Sequence, residues 1–218
     1  MSASPTHFEG ILIDFEADSA ETIVEKLSSS TTSKVTVSNL TFIGTFFSRE
    51  LEGFFSSLSA NKSLSKLAIH DSTFSYVSIG DFVGELKKTN ICDLSFEGIA
   101  ISNSGATIPN PSFAKIIFAL TGVPNVRKLT IPFGDNAGEL ASILEDLKET
   151  AVEEFSTNTN EIPEESKEEL EKILAVNRGI ALVDRVVAGK EDLFGEAGTS
   201  PAPVAASAAD VAKQTQLG

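Results

Sequence analysis

Histidine and cysteine, two residue types that often catalyse reactions or bind metals, are scarce in this chain. Its 218 residues include two histidines, His7 and His70, and one cysteine, Cys92. A zinc site needs three or four ligands, and an acyl-transfer triad needs a nucleophile and a carboxylate around its histidine. Neither histidine has such neighbours in the sequence, and one cysteine allows no internal disulfide. The sequence therefore predicts a protein that is not an enzyme, with no catalytic residues, no metal site and no cofactor.

The stretch 102–112, SNSGATIPNPS, is the longest predicted insertion between regular elements. It lacks the GK[ST] ending of a phosphate-binding loop. Gly105, Pro109 and Pro111 favour an irregular connection, and Ser112 can cap a following helix. Because loops often carry binding residues, this insertion is either a packed spacer or a contact surface.

The net charge of −14 narrows the classes of partner. Nucleic acids and anionic membranes attract clustered lysine and arginine, so neither is a predicted partner. A protein partner with a basic or neutral surface fits better. The acidity is concentrated in residues 139–196, which hold 16 acidic and 6 basic side chains. Such a run is most often a solvated face.

The first ten residues, MSASPTHFEG, have neither the basic start nor the apolar region of a secretory signal. No stretch approaches the roughly 18 apolar residues of a membrane span. A cytoplasmic location is expected, with the nucleus as the open alternative.

A recurring apolar spacing predicts the elements that position these residues. In its clearest copy, four apolar residues at i, i+3, i+4 and i+7 mark one face of a helix, and three more suit a short strand. They are Leu51, Phe54, Phe55 and Leu58, then Leu64, Leu67 and Ile69. The spacing recurs along the chain, and the strand starts lie 24 to 35 residues apart, about 29 on average. They are Phe8, Thr32, Leu64, Ile91, Val126 and Val152.

Three junctions, SLSANKSLSKLAI, ELKKTNICDLSF and ALTGVPNVRKLTI, resemble those of ribonuclease-inhibitor-like leucine-rich repeats, the helix-bearing class. The resemblance implies an α/β solenoid of about six units of roughly 29 residues. A parallel sheet would lie on its concave side and helices on its convex side. The sequence departs from the class at one place, because the Asn that usually follows LxL is mostly absent. Asp71 and Gly98 lie near the equivalent position.

The predicted domain organisation has three parts. Residues 1–7 are a disordered leader, and residues 8–189 are the repeat domain. An acidic C-terminal cap helix at 163–176 and a last strand at 180–187 close that domain. The Ala/Ser/Pro-rich residues 190–218 are a disordered tail.

Two groups of phenylalanines are expected to pack inside. Phe42, Phe74, Phe96 and Phe133 could stack beneath successive turns, which favours packing over an aromatic ligand site. The segment 42–47 also holds other apolar residues, and an exposed pair there would anchor a partner. Burial is the preferred interpretation. The predicted strands 34–41 and 91–101 are each expected to run without a break.

The predicted strands present small polar residues between their buried positions, with charged residues beside them. The predicted partner-binding residues are Lys66, His70, Glu97, Lys128 and Asn158. The first functional hypothesis is a non-catalytic intracellular scaffold or interaction module that binds a protein on its concave sheet face or adjacent loops. The alternative is a structural assembly or capping subunit that docks through the acidic C-terminal end and tail. Open sheet edges also allow self-association.

Overall fold

The structure is a computed structural model that describes residues 10–43, 47–103, 106–109, 114–131, 137–157 and 162–195. The strands within these residues are β1 Ile11–Asp14, β2 Lys34–Ser38, β3 Thr41–Phe42, β4 Lys66–His70, β5 Thr73–Ser75, β6 Asp93–Glu97, β7 Ala100–Asn103, β8 Ala106–Pro109, β9 Lys128–Ile131 and β10 Glu154–Thr157. The helices are α1 Ala20–Ser28, α2 Arg49–Ala60, α3 Tyr76–Glu85, α4 Ala114–Leu120, α5 Ala137–Leu147 and α6 Glu164–Gly195.

The main sheet has six parallel strands in the order β1-β2-β4-β6-β9-β10. One helix, α1 to α5 in turn, follows each of the first five of these strands and precedes the next one. Right-handed crossovers of this kind put the connecting helices on one face of a parallel sheet. The predicted α/β architecture with a parallel sheet is therefore confirmed.

Serine residues set the starts of three helices. The Ser19 hydroxyl accepts a hydrogen bond from the Thr22 amide, as expected for a residue that caps α1. Ser48 caps α2 through the amide of Leu51. At α3, Ser75 and Ser78 bond to each other's backbone amides and form a capping box.

The core is built from the predicted apolar spacing. The helical residues Leu51, Phe54, Phe55 and Leu58 are each at most 6% exposed, and the strand residue Ile69 is fully buried. Phenylalanine rings contact one another edge to face along this core. Of the phenylalanines predicted to stack, those at 42, 74 and 96 are buried, and the one at 133 lies outside the described residues.

A second, smaller sheet with the order β3-β5-β7-β8 was not predicted. The chain leaves β2, β4 and β6 through Asn39, Asp71 and Gly98, which all have positive φ, between 45° and 61°. A Cβ atom at Gly98 would collide with the Asp71 carboxylate. Because strands do not continue through left-handed residues, the predicted unbroken strands 34–41 and 91–101 are each divided in two.

Part of the predicted insertion 102–112 is regular structure. β7 and β8 pair antiparallel, with Ile101 opposite Ile108 and Ala100 opposite Pro109. The expectation of an irregular connection is therefore wrong for residues 106–109. Proline is tolerated there because β8 is an edge strand of its sheet. Ser112, the predicted helix cap, lies outside the described residues.

Asparagine amides join the helix ends to the strand starts. The Asn125 Nδ2 atom donates to the carbonyls of Leu86, Thr89 and Ile91 at 2.8 to 3.2 Å. Asn61 does the same for two carbonyls of the preceding unit, and Asn177 of α6 does so for Leu147 and Val152. Each amide thereby adds a hydrogen bond to a carbonyl at a helix end, where the intrahelical donors run out.

Helix α6 differs from the prediction in its length. It continues from Glu164 to Gly195, so the strand predicted at 180–187 is helical and so are residues 190–195 of the predicted tail. One glycine inside a helix costs only about 1 kcal/mol, and the alanines, leucines and Arg178 around Gly179 favour the helix. The leader 1–7 and residues 196–218 lie outside the described residues.

The chain divides by its contacts into two units, Met1–Ala181 and Leu182–Gly218. The first contains both sheets, and the second contains, among described residues, the last part of α6. At the start of the second unit, Leu182, Val183 and Val186 are 50 to 60% exposed. No helix within the described residues is both long and apolar enough to cross a membrane.

Candidate functional site

One side of the main sheet carries three rows of side chains and is called the sheet face below. Alternate residues of a strand point to opposite sides of the sheet. The apolar residues of the recurring spacing therefore enter the core, and the residues between them form these rows. The amino row, at the strand starts, is Lys34, Lys66, Asp93, Lys128 and Glu154. The middle row is Leu12, Thr36, Ala68, Ser95, Thr130 and Ser156. The carboxyl row is Asp14, Ser38, His70 and Glu97.

The amino row alternates in charge from its second strand onward. The Lys66 Nζ atom lies 3.9 Å from an Asp93 carboxylate oxygen, and Lys128 Nζ lies 2.9 Å from Glu154. The hydrogen bond from Lys128 to Glu154, together with the negative charges of Glu154 and Asp93, raises the pKa of the Lys128 ammonium group. Opposite charges directly across neighbouring strands stabilise their register modestly. The row is therefore largely neutralised by its own members.

The middle row is a floor of small side chains. Thr36 and Ala68 are only 6% and 5% exposed, whereas Leu12 on the first strand is 44% exposed. The hydroxyl oxygens of Thr130 and Ser156 lie 2.8 Å apart in a hydrogen bond between β9 and β10. Small side chains here allow another molecule to approach the sheet closely.

The carboxyl row holds a histidine and two carboxylates. The Nδ1 atom of His70 lies 3.1 Å from a carboxylate oxygen of Glu97, an ion pair that exists only when the imidazole is protonated. On the first strand, Asp14 Oδ1 accepts a hydrogen bond of 3.1 Å from the Asn39 side chain. That bond, and one from the Glu16 backbone amide, lower the pKa of the Asp14 carboxyl group.

The structure brings four of the five predicted binding residues onto this face. His70 and Glu97 contact each other across β4 and β6, and Lys66 and Lys128 lie on either side of Asp93. The fifth, Asn158, lies outside the described residues. The role of these residues in binding stays a prediction.

Sequence reasoning missed the contribution of the turns that end the strands. Ser72 accepts a hydrogen bond from the Leu40 amide and donates one to the His70 carbonyl, so it fixes the turn beside His70. Asn39 likewise fixes Asp14. The recurring segments NLTF, DSTF and GIAI, each starting at a residue that tolerates positive φ, were the available signal.

The described side chains offer little for metal or thiol chemistry. No group of three or more histidine, cysteine, aspartate or glutamate side chains among the described residues is placed to hold a metal ion. Cys92 is half-buried and forms no disulfide within the described residues. What the sheet face offers is hydrogen bonding and charge over an extended surface.

Comparison with known proteins gives a fold. No protein-family model and no curated protein matches the chain. The solved structure of leiomodin-1 actin-binding site 2 matches with a TM-score of 0.53 and 15% identity, and the match covers 78% of this chain and 95% of that one. The tropomodulin C-terminal domain of Caenorhabditis elegans is 8% identical with a TM-score of 0.47, over 78% of this chain and 99% of that domain. The first likeness shows a leucine-rich-repeat fold.

Proposed function

We propose that this chain is a non-catalytic protein-binding module that receives its partner on the sheet face. The proposal is carried by the in-register middle row, whose side chains from β2 to β10 are all Ser, Thr or Ala, with charged residues in the rows at both strand ends. The ribonuclease-inhibitor-like class, the six solenoid units, the concave position of this face and the cytoplasmic location belong to the same proposal.

The dimensions of the sheet face favour a protein over a small molecule. Six strands spaced about 4.8 Å apart span roughly 24 Å, and the middle row runs across all of that width. Small-molecule sites are concave and enclose most of their ligand. A floor of Ser, Thr and Ala instead suits a helix or loop that lies close to the sheet and forms hydrogen bonds.

Actin is the first partner to test. The leiomodin-1 structure that shares the fold is an actin-binding site by name, and its match extends over 95% of that chain. At 15% identity, this likeness supports the choice of probe and assigns no contact residue.

The deciding experiment measures binding of purified monomeric actin to the full chain and to two sheet-face variants. Ser95→Arg places a long side chain at the centre of the floor, and we expect it to weaken binding about tenfold, because it keeps the partner from the sheet. Lys66→Glu reverses an exposed charge of the amino row and should weaken binding about fivefold. Lys62→Glu, an exposed lysine outside the three rows, is the matched control.

Equal binding by wild type and Ser95→Arg would reject the sheet face as the binding surface. Absence of actin binding by the wild type would reject actin as the partner. Affinity capture from cell extract with the wild type and the same two variants would then test the module itself, because the proposal requires a partner that Ser95→Arg loses.

The alternative function is docking through the acidic helix α6. Its first turns expose Glu164, Glu165 and Glu168. Glu164 pairs with Lys167 and Glu168 pairs with Lys172, both within the helix. Such pairs contribute little in solvent and leave a net negative surface. Under this alternative, Glu165→Lys together with removal of residues 196–218 abolishes capture of the partner, whereas Ser95→Arg has no effect.

A further inference from the structure

The helices on the other side of the main sheet leave two grooves, one on each side of α2. The groove between α1 and α2 has a volume of about 530 Å³ and includes Ala20, Val24 and Gly53 in its lining. The groove between α2 and α3 has a volume of about 420 Å³ and includes Phe47 and Phe55. We propose that these paired grooves bind a basic amphipathic helix of a partner protein, at a surface separate from the sheet face.

The α2–α3 groove has an aromatic floor. Phe47 packs on the core with its ring centroid 5.5 Å from that of Phe55, and it stacks on Phe42 at 5.1 Å. Phe47 nevertheless remains half-buried and lines the groove. The Ser59 hydroxyl donates a hydrogen bond of 2.9 Å to the Lys88 carbonyl, which joins α2 to the turn that follows α3. The floor offers an apolar contact to side chains that enter from solvent.

The α1–α2 groove is shallow because these helices approach closely. A Cβ atom on Gly53 would lie 3.1 Å from a Val24 methyl group, so the glycine permits this approach. Val24 is 38% exposed, although its helical spacing predicts a buried position. The outward side of α2 between the grooves carries Glu52 and Ser56, which are exposed and line both grooves. A second helix can approach α2 closely at the small Ser56 side chain, because its own side chains enter the grooves on either side.

Charge selects the kind of helix. Four glutamates and two basic residues line the grooves, and the two basic residues are already in ion pairs: Arg49 with Glu21 at 3.4 Å, and Lys88 with Glu85 at 2.6 Å. The other two glutamates, Glu25 and Glu52, make no ion pair with any described residue. Glu52 lines both grooves, so a lysine or arginine of a bound helix could form an ion pair with it from either groove.

The length of α2 sets the length of the partner segment. Its 12 residues correspond to about 18 Å, or roughly three turns. A partner helix of similar length, with one apolar stripe and lysine or arginine on both flanks, would complement the aromatic floor and the acidic rim.

The test uses a labelled peptide of about 18 residues, with leucine at helical spacing and lysine elsewhere, and fluorescence anisotropy at low and at physiological salt. Glu52→Lys should weaken binding about fivefold. Ser56→Trp places a bulky ring on the ridge between the grooves without a change of charge and should weaken binding about tenfold. Glu165→Lys, an exposed reversal on α6, is the charge-matched control and should change the affinity by less than about twofold. Circular dichroism melts check that each variant is folded.

Three results would overturn the proposal. Wild-type affinity of Ser56→Trp would show that the peptide binds elsewhere. Equal loss in Glu52→Lys and Glu165→Lys, or equal binding of a peptide with the same residues in scrambled order, would show nonspecific attraction to an acidic protein. A dimer in sedimentation that Ser56→Trp makes monomeric would assign the grooves to a second copy of the chain.

Discussion

The sheet face and the opposite side of the main sheet, which α1, α2 and α3 cover and which is called the helix face below, present their charged side chains differently. On the sheet face, Lys66, Asp93, Lys128 and Glu154 lie in register and pair with one another across the strands. On the helix face, Glu52 protrudes between two grooves without an ion pair to the described residues. The position of a charge is fixed by the backbone on one face and by side-chain packing on the other.

This difference separates what each face can do with a partner. A protein that binds the sheet face must compete with ion pairs that already exist, so its gain comes mainly from hydrogen bonds to the floor and from shape. Unpaired glutamates on the helix face attract a basic partner at longer range and accelerate its association at low salt. Substitutions that strain the backbone should therefore lower the free energy of unfolding more when they lie in the turns of the sheet face than when they lie in the helices.

The largest expected effect comes from glycine substitutions on the two sides. Gly98→Ala puts a Cβ atom against the Asp71 carboxylate at a φ of 61°, and it should lower the free energy of unfolding by about 2 kcal/mol or more. Gly80→Ala lies within α3, where an added Cβ meets nothing within 4 Å. It should raise the free energy of unfolding by up to about 1 kcal/mol. Urea denaturation measures both.

One result would contradict the predicted difference between the two glycine variants. If Gly98→Ala were as stable as the wild type, the left-handed turn at this position would not be needed, and the backbone would not be what fixes the sheet side. Gly80→Ala serves as the control, since it adds the same methyl group where no turn is required.

Much of the fold was predictable because apolar spacing reports burial directly. Leu51, Phe54 and Leu58 lie in the core where their helical period places them. The second sheet was missed because its strands are two to four residues long, which is too short to show a period. The run of helix α6 past Gly179 was missed because glycine was given more weight than the good helix formers on both sides.

The candidate surfaces were predictable to different degrees for the same physical reason. Rows on a parallel sheet follow from strand register, so the repeat spacing alone is enough to place Lys66, His70 and Glu97 together. Grooves depend on how far apart helices pack, which spacing does not encode. Val24 illustrates the limit, because its helical position predicts burial and yet it is 38% exposed in a groove wall.

An intermediate effect is expected at the junctions that connect the two faces. The Asn125 amide donates to three carbonyls, whereas the buried Nδ2 atom of Asn90, also directly before a predicted strand start, has no hydrogen-bond partner among the described residues. Asn125→Ala should lower the free energy of unfolding by about 1 to 2 kcal/mol, and Asn90→Ala by clearly less. Urea denaturation of both variants under the same conditions would contradict this account if the two losses were equal.

The smallest expected effect concerns one half-buried carboxyl group, that of Asp14, at the edge of the sheet face. The Asn39 side chain is the largest cause of the lowered pKa of Asp14, and Asn39→Gly removes it while keeping the turn, because glycine accepts the φ of 54°. The pKa of Asp14 should therefore rise toward its ordinary value of 3.8 in the variant, as measured by NMR titration of its carboxyl carbon.

A group whose pKa is lowered by folding adds stability above its unfolded pKa and loses it as the pH falls through the folded value. The stability difference between wild type and Asn39→Gly should thus be largest at neutral pH and shrink in acid. An unchanged Asp14 titration in the variant would mean that the backbone alone sets the charge at this end of the sheet face, as it sets the rows.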